Sequence, residues 1–402
     1  MANRLNCGQC ARVCSRTELC DAGTCVTPPD PDGDGFTILT GDCCETTATC
    51  PAPATVNSSA PELPNNGIDD NCDGLIDAVR PDGGCDEGLV AGNALDAGDY
   101  ARAMDVCEGL LSADLRYADG RPAPLDAINI GVHEAVGAVR PETGKTLLVL
   151  GSGRANVPAG LTSGVAASTA QLSHCRGAGC LTDWFNSSNG ALKLAGKLPT
   201  APGCSTGSAD GNARDSIVLR LELKAPNRAR GFSLHTRFYS EEFPEFVCSP
   251  YNDQVVVLST SRAANPPDLN LMTFASKGQS WPIGINVAAG TPLFQACESQ
   301  RVNPRCWDTS LSPDSCAEGP AALAGTYFDR PFPGPCLRGG ATAQLLTRGN
   351  VIPGETFELR IAIWDVGDHI LDSFIVVDSF EWLTTTGTPG TTGVRRDGGS
   401  ID

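Results

Sequence analysis

Several features that mark large classes of proteins are missing from this sequence. No run of 18 apolar residues occurs, which excludes a helical membrane span. The chain begins MANRLNCGQC, without the apolar core and cleavage site of a secretory signal. Residues 1–90 contain no lysine and only 4 arginines against 15 acidic residues, and the whole chain has a formal net charge of -18. This charge argues against nucleic acid and anionic membranes as partners and favours a cation.

Local catalytic motifs are also missing. The segment HEAVG lacks the second histidine of H-E-x-x-H, and no G-x-S-x-G occurs. The segment PETGKT ends like a phosphate-binding loop, but Val139 occupies the place of its first glycine. Catalytic triads and carboxylate pairs leave no local motif, so a hydrolase of that kind stays open as an alternative. The prediction is a protein that is not an enzyme.

Cysteine, in contrast, is abundant. The chain has 19 cysteines, of which 10 lie in residues 1–90 and 9 lie between Cys107 and Cys336. Such numbers are typical of exported modules with weak cores and are rare in cytosolic proteins. We therefore predict disulfide bonds and a secreted or cell-surface protein whose signal is absent from this chain. A reduced cytosolic zinc protein is the alternative, but no second C-x2-C follows Cys7 and Cys10.

The number of cysteines also limits how they can pair. The second group is odd in number, so at least one thiol is free, or one bridge joins the two groups or two molecules. The adjacent residues Cys43 and Cys44 are expected to have different partners. The complete pairing cannot be deduced from the sequence.

The segment DPDGDG, which begins at residue 30, has the ligand spacing of a calcium loop. Oxygen ligands at alternate positions can converge on one ion, and a glycine at the sixth position allows a sharp turn. The closing glutamate of an EF-hand is replaced by Gly41, so Asp42 is expected to close the site. The predicted ligands are Asp30, Asp32, Asp34, Asp42 and the carbonyl of Phe36.

The segment DDNCDGLID, which begins at residue 69, repeats this spacing. Its predicted calcium ligands are Asp69, Asn71, Asp73, Asp77 and the carbonyl of Leu75. No helical periodicity flanks either loop, which argues against the helix-loop-helix form of an EF-hand. The alternative for both loops is a solvated acidic turn held by a disulfide.

Two longer segments around these loops carry a resemblance. DPDGDGFTILTGDC and PELPNNGIDDNCDGLIDA resemble the MopE-type metal-binding repeat of myxobacterial and related bacterial surface proteins, and also thrombospondin type 3 calcium loops. The first segment differs from that repeat, because Asp42, Cys43, Cys44 and Glu45 stand where the family has DCDD. Copper has been associated with the MopE name, but copper sites use histidine, methionine or thiolate. Neither loop contains histidine or methionine, so Ca²⁺ is the predicted ion.

The pattern changes to regular secondary structure near residue 96. An apolar stripe predicts one amphipathic helix, and Asp99 is its expected N-cap. The residues of this stripe are Tyr100, Ala103, Met104, Cys107 and Leu111. Alternating strands separated by Gly/Pro loops follow: LSADLRYADG, KTLLVLGSG, SIVLRLEL, GFSLHTRFYS, DQVVVLS, LNLMTFA, ETFELRIAIW and DSFIVVDSFEW. The predicted fold is mainly β, an antiparallel sandwich or jelly-roll-like domain after a disulfide-rich module with little regular structure.

This pattern divides the chain into four regions. We predict a Cys-rich module at 1–28, an Asp/Cys-rich calcium-binding repeat at 29–90 and a β-sandwich domain at 91–385. Residues 386–402 are rich in Thr and Gly and are predicted to form a flexible tail.

Two acidic segments lie between apolar strands of the predicted sandwich. They are YSEEFPEFVCSPYNDQVVVL at 239–258 and IWDVGDHILDSFIVVDSFEW at 363–382. The motifs SEEFPEF, YND and DVGDxxxDS resemble the choice-of-anchor L domain of bacterial surface proteins, over residues 146–385. This resemblance implies a β-rich extracellular domain of unestablished activity that often precedes varied anchoring signals.

The acidic residues of these segments predict a second calcium site. Carboxylates this dense beside buried strands need hydrogen bonds, arginine partners or a cation. We predict that four of them approach one another around one Ca²⁺ ion: Glu242, Asp253, Asp368 and Asp372. The alternative is that these acids only stabilise local turns.

The sequence as a whole predicts an exported, non-enzymatic, calcium-binding surface protein that acts in adhesion or surface assembly. Its expected partners are calcium ions and surface polysaccharide or another surface protein. A lectin-like domain that holds sugar hydroxyls on calcium is the first alternative, and exposed Trp or Tyr beside the ion would favour it. A carboxylate-based hydrolase is the second, and a deep cleft with paired carboxylates would favour it.

Overall fold

A computed structural model gives the arrangement of the chain. It describes residues 18–38, 40, 42–48, 50–57, 60, 68, 72, 85–92, 94–156, 173–175, 203–204, 213–264, 268–276, 278–299, 303–305, 311–329, 339–366, 371–394 and 400–401. The chain forms two units, one of residues 1–81 with 226–228 and one of residues 82–225 with 229–402.

The first unit has little regular structure in its described residues. A hairpin of β1, Leu19–Asp21, and β2, Thr24–Val26, is followed by a 3₁₀ turn at Pro53–Thr55. Its apolar cluster consists of Ile68, Val56 and the half-cystines Cys44, Cys50 and Cys72. Two disulfides, Cys43–Cys72 and Cys44–Cys50, join these segments. The predicted disulfide-rich module with little regular structure is confirmed here, as are the different partners of the adjacent cysteines.

The second unit begins with α1, Ala97–Arg102, and continues with strands. The strands are β3 Leu110–Arg116, β4 Ile130–His133, β5 Leu147–Gly151, β6 Ser173–Cys175, β7 Ala213–Lys224, β8 Gly231–Ser240, β9 Gln254–Ser259, β10 Leu269–Asn270, β11 Thr273–Ser276, β12 Gln279–Pro282, β13 Phe294–Ala296, β14 Gly340–Thr342, β15 Gln344–Asn350, β16 Thr356–Asp365, β17 Ser373–Leu383, β18 Gly390–Val394 and β19 Ser400–Ile401. Two 3₁₀ turns lie at Ile285–Ala288 and Pro320–Leu323.

The helix differs from its prediction in length and in its cap. Asp96, not Asp99, is the N-cap, because its carboxylate accepts the N–H of Asp99 at 3.1 Å while Asp99 accepts the N–H of Asp96 in return. The chain cannot continue the helix past Asp105, whose φ of 66° is left-handed. Leu111, predicted on the helical stripe, therefore lies in β3 and is 53% exposed.

The strands form two sheets. The first has the order β10-β9-β16-β7-β3, with β6 also paired to β7. The second has the order β12-β11-β18-β15-β8-β17-β5-β4, with β14 on β8, β13 on β14 and β19 on β18. Neighbouring strands of both sheets run antiparallel in the described residues, except for β11 and β18, which are parallel.

The main core lies between these two sheets. The alternation in β7 buries Ile217, Leu219, Leu221 and Leu223 completely, whereas Glu222 points to solvent. These residues belong to one cluster with inward-facing residues of the second sheet; its members from β5, β8, β15 and β17 are Leu148, Leu150, Phe232, Leu234, Phe238, Leu345, Ile375 and Val377. The predicted β-sandwich is therefore confirmed.

The outer face of the second sheet has its own apolar cluster. Leu147 and Val376 of the sheet pack there with Ala322 and Leu323 of a 3₁₀ turn and with Phe328. This cluster lies on the opposite face from the main core because alternate strand residues point to opposite sides of the sheet.

The described residues of the predicted flexible tail, 386–394 and 400–401, include two strands. Residues Gly390–Val394 form β18, which pairs with β15 and β11, and Ser400–Ile401 pairs with β18 in turn. Thr391 is 4% exposed, and its hydroxyl donates a hydrogen bond of 2.7 Å to the carbonyl of Leu271. The Thr/Gly composition suggested disorder, but a neighbouring strand satisfies the backbone of this segment.

Candidate functional site

The acidic loop of the first unit is closed by hydrogen bonds from its own backbone. The Asp30 carboxylate accepts the N–H of Gly33 at 2.8 Å and the N–H of Gly35 at 3.1 Å. Both glycines have left-handed φ angles, 78° and 90°, which other residues adopt only with strain. The sequence forms this tight loop because a carboxylate stands at its first position and glycines stand where the chain must turn.

The next two aspartates repeat this arrangement along the loop. Asp32 accepts the N–H of Asp34 at 3.2 Å, and Asp34 accepts the N–H of Phe36 at 2.7 Å. The amide of Asn57 also donates to Asp34 at 2.8 Å. Asp32 thus has one oxygen fixed by the protein and Asp34 has both, which orients these side chains.

These orientations bring the carboxylates together in two overlapping groups. Oxygens of Asp32, Asp34 and Asp42 lie within 4.8 Å of one another, and so do oxygens of Asp30, Asp32 and Glu45. Two oxygens that each lie at the calcium distance of ~2.4 Å from one ion can be at most ~5 Å apart. The spacing of the oxygens within each group therefore fits ligands of one ion.

Asp42 occupies the most enclosed position in this cluster. It is 4% exposed, and one carboxylate oxygen accepts the N–H of Cys44 at 2.6 Å. Its other oxygen is buried and has no hydrogen-bond partner among the described residues. Burial raises the pKa of Asp42, and the charges of Asp32 and Asp34 raise it further. A buried carboxylate oxygen in a cluster of like charges is the kind of group that a cation neutralises.

The pKa values of two neighbours are raised for the same reasons. Loss of solvent contact is the first cause for both Asp32 and Glu45, and the charge of a nearby aspartate adds to it. Glu45 was not a predicted ligand. The departure from DCDD at residues 42–45 was the signal that could have identified it, because Glu45 occupies the last acidic position of that motif.

Disulfides fix the segment that carries Asp42 and Glu45. Cys43 and Cys44, which lie between these two acids, are bonded to Cys72 and Cys50. The second predicted loop surrounds Cys72, but its ligands lie outside the described residues; they are Asp69, Asn71, Asp73, Leu75 and Asp77. That loop stays a prediction.

A second acidic cluster lies within the sandwich. Oxygens of Glu242, Asp253 and Asp365 lie within 4.8 Å of one another, and each residue is at most 1% exposed. The strand register explains the contact, because Trp364 of β16 faces Gln254 of β9 in the last pair of these strands, and Asp365 and Asp253 adjoin that pair in sequence. Asp253 also accepts the N–H of Val366 at 3.0 Å.

This cluster overlaps with the predicted set of four acids but is not identical to it. Glu242 and Asp253 are together as predicted, and Asp365 joins them. Asp368 lies outside the described residues. Asp372 has a different neighbourhood: its N–H donates to Glu241 at 3.2 Å, and its carboxylate packs against Gly153, where a Cβ atom would lie 2.0 Å away. The DVGD segment contained Asp365, but only the pairing of β9 and β16 shows which of its acids meets Asp253.

Comparison with known proteins identified one family. The model of the Choice-of-anchor L domain matches residues 152–381, which is more than half of the chain and includes the acidic cluster of the sandwich. Searches of curated proteins and of solved structures returned no match. No helix in the described part of the chain has the length and apolar character needed to cross a lipid bilayer.

Proposed function

The chain belongs to the choice-of-anchor L domain family, and from this premise we propose that it is a calcium-binding protein that acts in adhesion or surface assembly. Membership of this family indicates a cell-surface or secreted protein, and the family is not known for enzymes. The disulfides agree with an oxidising environment outside the cytosol.

The enclosed carboxylate of Asp42 carries the calcium part of the proposal. Its buried oxygen lies in a group with oxygens of Asp32 and Asp34, and further oxygens of Asp30 and Glu45 are adjacent. All of these ligands are hard oxygens, which suit Ca²⁺ and disfavour copper and zinc. Calcium bound here would stabilise the folded loop, because the unfolded loop does not assemble the site.

Calcium titration of the complete oxidised chain tests this proposal. Calorimetry on chelator-treated protein should show saturable binding at ~10⁻⁴–10⁻³ M, the range of extracellular calcium modules. Asp42→Asn should lower the number of bound ions by one, because the amide keeps the shape and loses the charge. Asp21→Asn is the control, since Asp21 is exposed and belongs to neither carboxylate group. Equal binding by the wild type and Asp42→Asn would contradict the assignment.

The second calcium site in the sandwich stays a prediction, now with Asp365 beside Glu242 and Asp253. Three buried carboxylates this close repel one another, and a divalent ion would relieve that repulsion. Asp365→Asn in the same titration should remove one further ion if the site binds calcium. Unchanged stoichiometry in a variant with native circular dichroism would favour the alternative, in which these acids stabilise turns.

The lectin alternative gains no support from the aromatic residues near the sandwich cluster. Trp364 adjoins Asp365 in sequence but is fully buried, so it offers no face for a sugar ring. The half-buried Tyr251 packs edge-to-face against Phe246, with ring centroids 5.4 Å apart.

A further inference from the structure

A cavity of about 200 Å³ opens on the outer face of the second sheet. Its apolar lining includes Leu147 of β5, Val376 of β17 and Ala322 of a 3₁₀ turn, all at most 5% exposed. Its polar lining comes from β8, β15, β17 and the segment before β5, with Glu318 just before the 3₁₀ turn; these residues are Arg140, Glu142, His235, Arg237, Glu318, Gln344 and Asp378. An apolar floor with a few polar groups is the usual composition of a small-ligand site.

The carboxylates of this cavity are already engaged by groups of the protein. Glu142 accepts hydrogen bonds from His235, at 2.5 Å from Nδ1, and from the amide of Gln344. Glu318 forms an ion pair of 2.5 Å with Arg237. Asp378 accepts two backbone N–H groups, from Glu142 at 2.7 Å and from Ser379 at 2.8 Å. These acids therefore do not form the open carboxylate pair that a hydrolase would need.

Two arginines of the cavity have guanidinium N–H groups without an acceptor among the described residues. The Nε of Arg237 is buried and has no acceptor among the described residues. Arg140 donates only to the carbonyls of Gly137 and Val139 and forms no ion pair within the described part of the chain. Because the Nε of Arg237 is closed to solvent, the donors that are open to the cavity are those of Arg140. A guanidinium group beside an apolar floor is the complement of an anion with an aliphatic body.

We propose that this cavity binds a small aliphatic carboxylate, whose charged end is held by Arg140, with the guanidinium of Arg237 also lining the cavity, and whose chain packs on Leu147, Val376 and Ala322. An engineered cavity of ~150 Å³ in another protein accommodates benzene, so 200 Å³ has room for a ligand of about six to eight non-hydrogen atoms. This site does not depend on the proposed calcium binding, because none of the acids of either calcium cluster lines the cavity.

Titration of the complete chain with sodium butyrate and butyramide tests the proposal. The two molecules have the same size, and only butyrate carries a charge. Butyrate should bind saturably with a dissociation constant on the order of 10⁻³ M, since so small a ligand makes few contacts. Butyramide should bind at least about tenfold more weakly. Ligand-observed NMR is suited to this affinity range.

Two variants locate the binding in this cavity. Arg140→Gln removes an exposed guanidinium and should weaken butyrate binding about tenfold or more, whereas Arg348→Gln, at an exposed arginine of β15 outside the cavity, should not. Ala138→Trp, at an exposed position of the lining, should block the cavity. No saturable butyrate binding, equal binding of butyramide, or unchanged binding in Arg140→Gln would each overturn the proposal. Calcium stoichiometry should be the same in all three variants, which separates this test from that of the proposed function.

Discussion

Asp378 is an aspartate whose surroundings disfavour its charged form. It is 6% exposed, and burial raises its pKa to about 7, to which the charge of Asp105 contributes. Burial likewise raises the pKa of Asp105, and the two carboxyl groups interact directly. The negative charge of Glu142 also raises the pKa of Asp378. The pair is therefore expected to hold a proton at neutral pH that an exposed aspartate would have lost.

This proton makes the stability of the sandwich depend on pH. Between the ordinary pKa of 3.8 and about 7, the folded state binds more protons than the unfolded chain, so the free energy of unfolding falls as pH rises and levels off above pH 7. Asp378→Asn should remove most of this pH dependence. The change in the free energy of unfolding across this pH range is up to ~4 kcal/mol, since each pKa unit corresponds to ~1.4 kcal/mol. Urea unfolding at several pH values measures it. The exposed Asp126→Asn is the control, and an equal slope in Asp378→Asn would contradict the prediction.

At the scale of single elements, the outer face of the first sheet is held by a row of charges. Arg220 of β7 pairs with Asp114 of β3 at 2.5 Å and with Glu358 of β16 at 3.2 Å. Arg360 continues the row from Glu358, at 3.1 Å, to Asp268. The register makes this possible, because Arg220 faces Asp114 on one side and Arg360 on the other.

Replacement of the central cation should weaken this row in a salt-dependent way. Arg220→Met keeps the aliphatic contacts and leaves Asp114 and Glu358 as neighbouring acids, so it should lower the free energy of unfolding by about 1 kcal/mol. The loss should shrink at 1 M salt, where the screening length is ~3 Å. Urea unfolding of the variant at low and high salt checks this. Arg348→Met, which removes an exposed arginine outside the row, is the control. A loss that does not change with salt would show that packing, and not charge, is responsible.

The elements also show where sequence patterns succeed. The alternation of β7 predicted that Ile217, Leu219, Leu221 and Leu223 share the face on the core, because the period of two is geometric. It did not predict that Val218 on the opposite face is also fully buried, in a second apolar cluster. The end of α1 and the strand at Gly390–Val394 were not predicted. Both depend on partners distant in sequence: the chain after α1 joins β7, and β18 lies between β15 and β11.

At the scale of the whole molecule, disulfides are distributed over both units. Cys85–Cys107 joins the two groups of cysteines that the sequence defines, which is one of the alternatives that the odd count left open. Cys204–Cys248 and Cys297–Cys316 lie within the sandwich unit. Cys25 is also disulfide-bonded. The groups of possible metal ligands among the described residues contain carboxylates and no cysteine, so they do not indicate a zinc site.

Reduction should therefore affect the two units differently. The apolar cluster of the first unit contains three half-cystines, and each bridge typically contributes ~2–4 kcal/mol, so this unit should unfold first when a reductant is added. The sandwich has a large apolar core and should resist longer. Hydrogen exchange during titration with dithiothreitol would follow both units in one sample. Thiol titration of the oxidised, unfolded chain should find about one free thiol or none. Loss of the sandwich before the first unit would contradict this order.

The sequence by itself determined the classes of structure in this protein. The shortage of apolar residues and the excess of cysteine in residues 1–90 required disulfides in place of a core, and period-two alternation required a sandwich. The spacing of Asp30, Asp32 and Asp34 likewise determined that Asp32 could approach both of its neighbours in this series, because Gly33 and Gly35 allow the turns. These conclusions depend only on neighbours in the chain, where local geometry applies.

Only the tertiary structure decided which distant residues meet. Asp365 joins Asp253 through the register of β9 and β16, and Asp372 packs against Gly153 instead. Arg140, His235 and Asp378 come from three separate segments and line one cavity because β8 and β17 are neighbours in the second sheet. The spacing of residues along the chain carries no information on such contacts, since strand order and register are set by how the whole core packs.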